Sequence, residues 1–148
     1  MNAQAGKLLR GAFIGFFATV IFTIVIHTMP LLGFVKVDLS REITKRFFGA
    51  TRFYLFGHAM HYTTGTCLAV AYQAFGRRFV GARVKKPELQ TAAVYGILWS
   101  LAAYILSLFF LLLIGRLQLI LTTGILTLLA AHTLYGVIIG IFLEHDRF

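Results

Sequence analysis

The sequence predicts an all-α integral membrane protein: a four-helix transmembrane bundle, with a short amphipathic helix lying in the membrane interface between spans one and two. Three observations carry this expectation. Apolar residues make up 59% of the 148 residues and charged residues only 13%, with a mean hydropathy of +0.83. A soluble domain carries about 25% charged residues, so a surface this poor in charge must face lipid. The charges are also gathered between four apolar stretches, each reaching the roughly 20 residues that cross a hydrocarbon core of about 30 Å. Finally, each stretch carries a row of small residues at helical spacing, whereas barrel strands are about 10 residues long and alternate in polarity. Residues 1–148 read as one domain.

The first span covers about 11–34, where His27 is the only ionisable side chain. Lys7 and Arg10 precede it as they would in a signal peptide. The apolar run is too long for a signal core, and His27, Thr28, Met29 and Pro30 follow it rather than a cleavage site, so it reads as a retained span. Next comes the interfacial helix, about 39–48. Asp38 caps its start and Gly49 stops it after Phe48. Leu39, Ile43 and Phe47 recur every four residues, while Arg41, Glu42, Lys45 and Arg46 project elsewhere.

The second span, about 53–76, holds His58, His61, the single Cys67 and neutral phenols. One cysteine permits no internal disulfide. A basic connection ends at Pro87, and the third span, about 90–113, has no acid, base or His. The fourth, about 120–143, has only His132; its start falls between Leu117 and Thr123, because Gly115 and Arg116 suit a hairpin. His145 stands between Glu144 and Asp146 in the tail and reads as a solvated end.

Four spans put both termini on one face, together with Lys7, Arg10, Arg77, Arg78, Arg83, Lys85, Lys86 and Arg147. The opposite face collects Lys36, Arg41, Lys45, Arg46, Arg52 and Arg116. The positive-inside rule then favours cytoplasmic termini. The net charge of +9 reads as contact with anionic lipid head groups through Arg77, Arg78, Arg83, Lys85 and Lys86, not as a nucleic-acid surface.

Apolar side chains gain little from hiding against each other in lipid, so small residues that admit close backbone approach mark helix contacts. Span one has Gly11, Gly15, Thr19, Thr23 and His27 four apart; span two has Gly57, His61, Gly65 and Ala69. Span three has Ala92, Gly96, Ser100, Ala103 and Ser107, and span four has His132, Gly136 and Gly140. Each four-residue step winds about 40° around a 3.6-residue helix, so the two ends of a row need not meet the same neighbour.

The histidines are the candidate functional residues. At about 1.5 Å per residue, His27 lies about 10 Å from its end of span one, and His58 and His61 about 9 and 13 Å from theirs. A fourth span starting near Thr123 puts His132 about 13 Å deep, in the same layer, whereas a start at Leu117 puts it about 22 Å deep and outside that layer. Imidazole is costly in hydrocarbon and usually faces a partner or cavity. One reading is a cofactor site for haem b, copper or another transition metal held by His27, His58, His61 and His132, with Met29 and Met60 near as soft ligands. In that reading Arg46, Arg52 or Arg116 would meet haem propionates. A second reading is hydrogen-bonded glue between helices, to partners such as Thr23, Thr63, Thr64, Tyr62 or Tyr135. A third is a quinone or lipid pocket.

Several segments carry a family resemblance. Span one reads GAFIGFFATVIFTIVI and leads into MPLLG, then VDLSREI opens the short helix. Span two reads GHAMHYTTGTCLAVAYQAF and the last span ends HTLYGVIIGIFLE. Together these resemble a family of small four-helix bacterial inner-membrane proteins of unknown function, whose last span carries His-x-x-Tyr-Gly and a further Gly. The resemblance reaches His58 or His61, Gly65, His132, Tyr135, Gly136 and Gly140. A Pro near the start of the family's last span has no counterpart here. The resemblance implies a fold and a bacterial inner membrane, and supplies no activity.

No nucleophile–base–acid set, phosphate loop, intramembrane carboxylate or sizeable extramembrane domain is visible, which speaks against an enzyme. The leading expectation is an accessory or assembly subunit of a larger membrane complex, or a homo-oligomer, docking through small-residue faces. A haem- or metal-binding electron-transfer subunit is the alternative, and a small oligomeric transporter or channel ranks last.

Overall fold

The computed structural model describes residues 3–34, 36–49, 53–76, 88–113 and 124–145, and no strand occurs among them. Helix α1 runs Ala3–Thr28 and tightens into a 3₁₀ turn, Met29–Leu32, which Gly33 ends with φ 84°. Helix α2 is Leu39–Phe48. The Asp38 carboxylate accepts the Arg41 backbone N–H at 2.9 Å, and Gly49 closes the helix with φ 66° while its N–H donates to the Lys45 carbonyl. Both ends thus satisfy backbone groups that a ten-residue helix would otherwise leave open.

Helix α3 spans Tyr54–Ala71 and widens into a π turn, Tyr72–Gly76. Helix α4 is Leu89–Leu113. Helix α5 is Gly124–Gly140, continuing into a second π turn, Ile141–His145. Residues 114–123, where the sequence places the start of the last span, lie outside the described residues, as do Arg77, Arg78, Arg83, Lys85 and Lys86.

Three segments among the described residues are long and apolar enough to cross a membrane: Gln4–Leu32, Leu89–Phe109 and Gly124–Glu144. Helix α3 is not one of them. With its π turn it is as long as the last two of these, but His58, His61, Thr63, Thr64 and Thr66 dilute its apolar content.

Two antiparallel seams build the assembly. Along α1 and α3, a Cβ on Gly11 would meet Gln73 and Val70, and one on Gly15 would meet Ala69 and Thr66. Gly65 of α3 lies against Thr19, and His61 hydrogen-bonds Thr23. Each four-residue step up α1 is matched by a four-residue step down α3. Along α4 and α5 the backbones themselves touch: a Cβ on Gly96 would strike the Gly136 carbonyl oxygen, and one on Gly140 would strike that of Ala92. Helix α5 also packs on α1, where Ala18, Phe22 and Ile26 join Leu128, Ala131, Tyr135 and Ile139 in the core. Helix α2 sits on α3, with Ser40 and Thr44 against Gly57.

The rows of glycine are therefore occupied inside the chain. What faces outward is bulky and apolar, including Phe13, Phe16, Phe17, Leu55, Ile105 and Leu112. At the C-terminal end Glu144 is only 3% exposed, held in the last π turn of α5, while the side chain of His145, which the sequence reads as a solvated end, lies outside the described residues. Nearby, the Arg10 guanidinium donates to the Phe142 carbonyl, a cation placed on the negative end of α5.

Candidate functional site

Helices α3 and α4 are not a closely packed pair. At one level they are tied: the Trp99 indole N–H donates to the Leu68 carbonyl at 3.1 Å, and the Trp99 and Tyr72 rings lie 5.6 Å apart. Beyond Trp99, toward the C-terminal end of α4, they diverge around a cavity of about 540 Å³. Helix α3 contributes Met60, His61, Thr64 and Leu68, and α4 contributes Ala103, Leu106, Ser107, Phe109 and Leu113. Its floor is Phe22 of α1 with His132 and Tyr135 of α5. Leu106, Phe109 and Leu113 are all more than half exposed, so the cavity is open to the side between α3 and α4.

The polar groups in this cavity follow a pattern. The Thr19 hydroxyl donates to the Gly15 carbonyl (2.7 Å), Thr64 to Met60 (2.8 Å) and Ser107 to Tyr104 (2.7 Å). Threonine and serine inside helices commonly bond back to the preceding turn in this way. The Tyr135 phenol crosses from α5 to α3 and donates to the Gly65 carbonyl at 2.6 Å.

Both cavity histidines are also anchored. His132 Nδ1 lies 2.8 Å from the Leu128 carbonyl, which can only accept, so this nitrogen carries the proton. His61 Nε2 lies 3.2 Å from Thr23 Oγ1, whose own proton goes to the Thr19 carbonyl at 2.8 Å. Thr23 must then accept, and His61 Nε2 carries the proton. These tautomers are assigned from the hydrogen-bond network. The Phe22 ring stands between the two imidazoles, 4.8 Å from His132 edge to face and 5.3 Å from His61. Tyr104 flanks His132 on its other side at 5.2 Å.

The remaining histidines of the expected layer sit elsewhere. His27 is exposed, and its Nδ1 bonds the Thr23 carbonyl of its own helix at 2.8 Å. His58 faces α2, with Nδ1 3.3 Å from Ser40 Oγ and its ring 4.4 Å from Tyr54. Neither lines the cavity. Among the described residues no group of three or more His, Cys, Asp or Glu side chains gathers closely enough to hold a metal ion. Of the other residues that the sequence suggests for a cofactor, Met60 lines the cavity, while Arg52, Arg116 and the Arg46 side chain lie outside what is described.

No known protein family, curated protein or solved structure matches this chain.

Sequence reasoning missed Phe22 and the Leu106, Phe109 and Leu113 part of the α4 wall, because apolar residues in an apolar span carry no mark of facing a cavity; Ala103 and Ser107 it named only as helix contacts. Thr23 was named from the sequence as a hydrogen-bond partner for a histidine, and it meets His61; Thr19, whose carbonyl takes the Thr23 proton, was visible only as a member of the α1 row.

Proposed function

We propose that this chain is a small four-span protein of the bacterial inner membrane that holds a lipophilic molecule in a pocket open to the lipid. It would act as an accessory subunit beside a larger membrane complex. The observation that carries this reading is the cavity between α3 and α4: about 540 Å³, within the usual range for small-molecule sites, and lined mostly by apolar side chains with a few converging polar groups. A ligand entering by that side arrives from lipid. Four spans with cytoplasmic termini follow if α3 crosses with the others; its antiparallel pairing along α1 supports this, and α3 with its π turn reaches about 34 Å at helical rise. Intramembrane histidines and glycines in the last span are what the resemblance to four-helix inner-membrane proteins would lead one to find. Because the glycine rows lie against this chain's own helices, a partner complex would meet the outward Phe13, Phe16 and Phe17 surface.

The pocket is tested by native mass spectrometry of protein released from mild detergent. The expected result is a retained apolar molecule at one per chain, lost when Thr64→Phe and Leu106→Trp fill the opening from exposed positions. A protein that carries no such molecule, and takes up none when incubated with bacterial lipid extract, overturns the reading.

A further inference from the structure

Every proton on the polar side chains around the cavity is already committed. The hydroxyls of Thr19, Thr64, Ser107 and Tyr135 all donate to backbone carbonyls. His132 donates through Nδ1 to Leu128, and His61 through Nε2 to Thr23. Among the described residues no carboxylate lines the cavity to balance a second proton on either ring. A neutral imidazole has one donor and one acceptor nitrogen. What His61 and His132 hold uncommitted is therefore a lone pair each, at Nδ1 and Nε2 respectively. Hydroxyl oxygens add further acceptors. Through its described residues the cavity accepts hydrogen bonds and offers none.

An occupant is thereby constrained. A molecule whose polar atoms only accept, such as a quinone, ester or ketone, would place its oxygens against lone pairs and leave them unpaired, which is costly in an apolar site. A molecule bearing donors satisfies both sides. The two acceptors stand on different helices, with the flat ring of Phe22 between them, and the walls add Tyr135 and Phe109. A planar ring with hydroxyls on opposite edges suits that arrangement, and a long apolar tail can leave past Leu106 and Leu113 into lipid. Resting on the pocket reading above, we infer that the site takes the reduced form of a lipid-soluble aromatic carrier, a hydroquinone with an apolar tail. His61 Nδ1 and His132 Nε2 would accept its hydroxyl protons.

The test compares three probes on the unaltered protein in detergent by calorimetry under anaerobic conditions: a benzohydroquinone with a ten-carbon tail, its oxidised quinone, and its dimethyl ether. The expected result is that the hydroquinone binds at least tenfold more tightly than the other two. His61→Phe and His132→Phe should each reduce that preference, weakening the hydroquinone more than the ether, because only the hydroquinone loses a hydrogen-bond partner. Equal binding of all three probes overturns the donor requirement and leaves the pocket reading standing. Binding of none overturns both. A ten-carbon aliphatic alcohol that binds as tightly as the hydroquinone would overturn the aromatic ring. A Soret band in the purified protein that vanishes in both His variants would overturn the inference in favour of haem.

Discussion

Helix α4 has two long neighbours and treats them differently. Against α5 it presents Ala92, Gly96 and Ser100, and the two backbones come so close that no Cβ fits at Gly96, Gly136 or Gly140. Toward α3 it presents Trp99, Leu106, Phe109 and Leu113, and the helices stand apart around a cavity. The α5 side is closed by the absence of side chains; the α3 side is held open by their presence. In lipid, where apolar contact brings no release of water, this difference in volume decides where helices touch. The same helix can thus supply a rigid seam on one face and the wall of a binding site on the other.

The sharpest way to break the comparison is to put a methyl group into the closed seam. In Gly96→Ala the new carbon would strike the Gly136 carbonyl oxygen and lie 2.7 Å from Gly140 Cα. Both obstacles are backbone, so neither can rotate away, and α4 must move off α5. Overpacking of this kind costs about 3 kcal/mol. Thermal unfolding in detergent should show a larger drop in midpoint than Gly65→Ala, Tyr135→Phe or Gly15→Ala produces. A midpoint within 2 °C of the parent, by the usual scaling of roughly 2–4 °C per kcal/mol, would mean that the two backbones are not in contact at Gly96.

Gly65→Ala probes the other seam and should cost less, about 1–2 kcal/mol. The obstacle is a side chain: Thr19 Oγ1, with Cγ2 at 3.0 Å and Cβ at 3.1 Å. Removing the Thr19 hydroxyl and methyl leaves only that Cβ. The double variant Gly65→Ala with Thr19→Ala should therefore melt above Gly65→Ala alone, despite carrying one more substitution. Coupling of this sign is what a shared contact predicts, and additive losses would deny the contact.

Tyr135→Phe should have a smaller effect. It removes the donor to the Gly65 carbonyl at 2.6 Å and leaves the ring in place. Hydrogen bonds between membrane helices average about 0.6 kcal/mol, and burial of this one places the expected loss near 1 kcal/mol. Calorimetric unfolding would register it, and a loss above about 3 kcal/mol would require a second role for the phenol.

How far this was legible in the sequence depends on which coordinate is asked for. The helical class, and three of the four spans expected, follow from charge scarcity and run length, which are properties of whole segments. Asp38 and Gly49 mark the ends of α2 because capping is local chemistry. Spacing along a helix is also legible, since rise per residue is fixed. Rotation about the axis is not. His27, His58, His61 and His132 can share a layer by depth, yet His27 turns outward and His58 toward α2, and only His61 and His132 reach the cavity. Rotation is set by the neighbours a helix acquires, and no single span contains that information. Glu144 was obscured for a related reason: nothing in its local sequence says whether the last turn is docked.

The smallest expected effect makes the same point within one motif. Gly11 and Gly15 form a single G-x-x-x-G pair, and by sequence they are equivalent. Around Gly11 the nearest atom to an added Cβ is Gln73 Cβ at 3.3 Å, a distance a few tenths of an ångström of give can absorb. At Gly15 the added carbon would lie 2.5 Å from Ala69 Cβ and 3.1 Å from Thr66 Cα, where the obstacles cannot rotate aside. Alanine also favours a helix over glycine by about 0.8–1.0 kcal/mol, which offsets a mild contact but not a collision. Gly11→Ala should therefore shift the unfolding midpoint by no more than the equivalent of about 0.5 kcal/mol, in either direction, while Gly15→Ala destabilises by about 1–2 kcal/mol. If the two variants behave alike, the divergence of α1 from α3 toward Gly11 is not real, and the register that places His61 beside Thr23 must be drawn again.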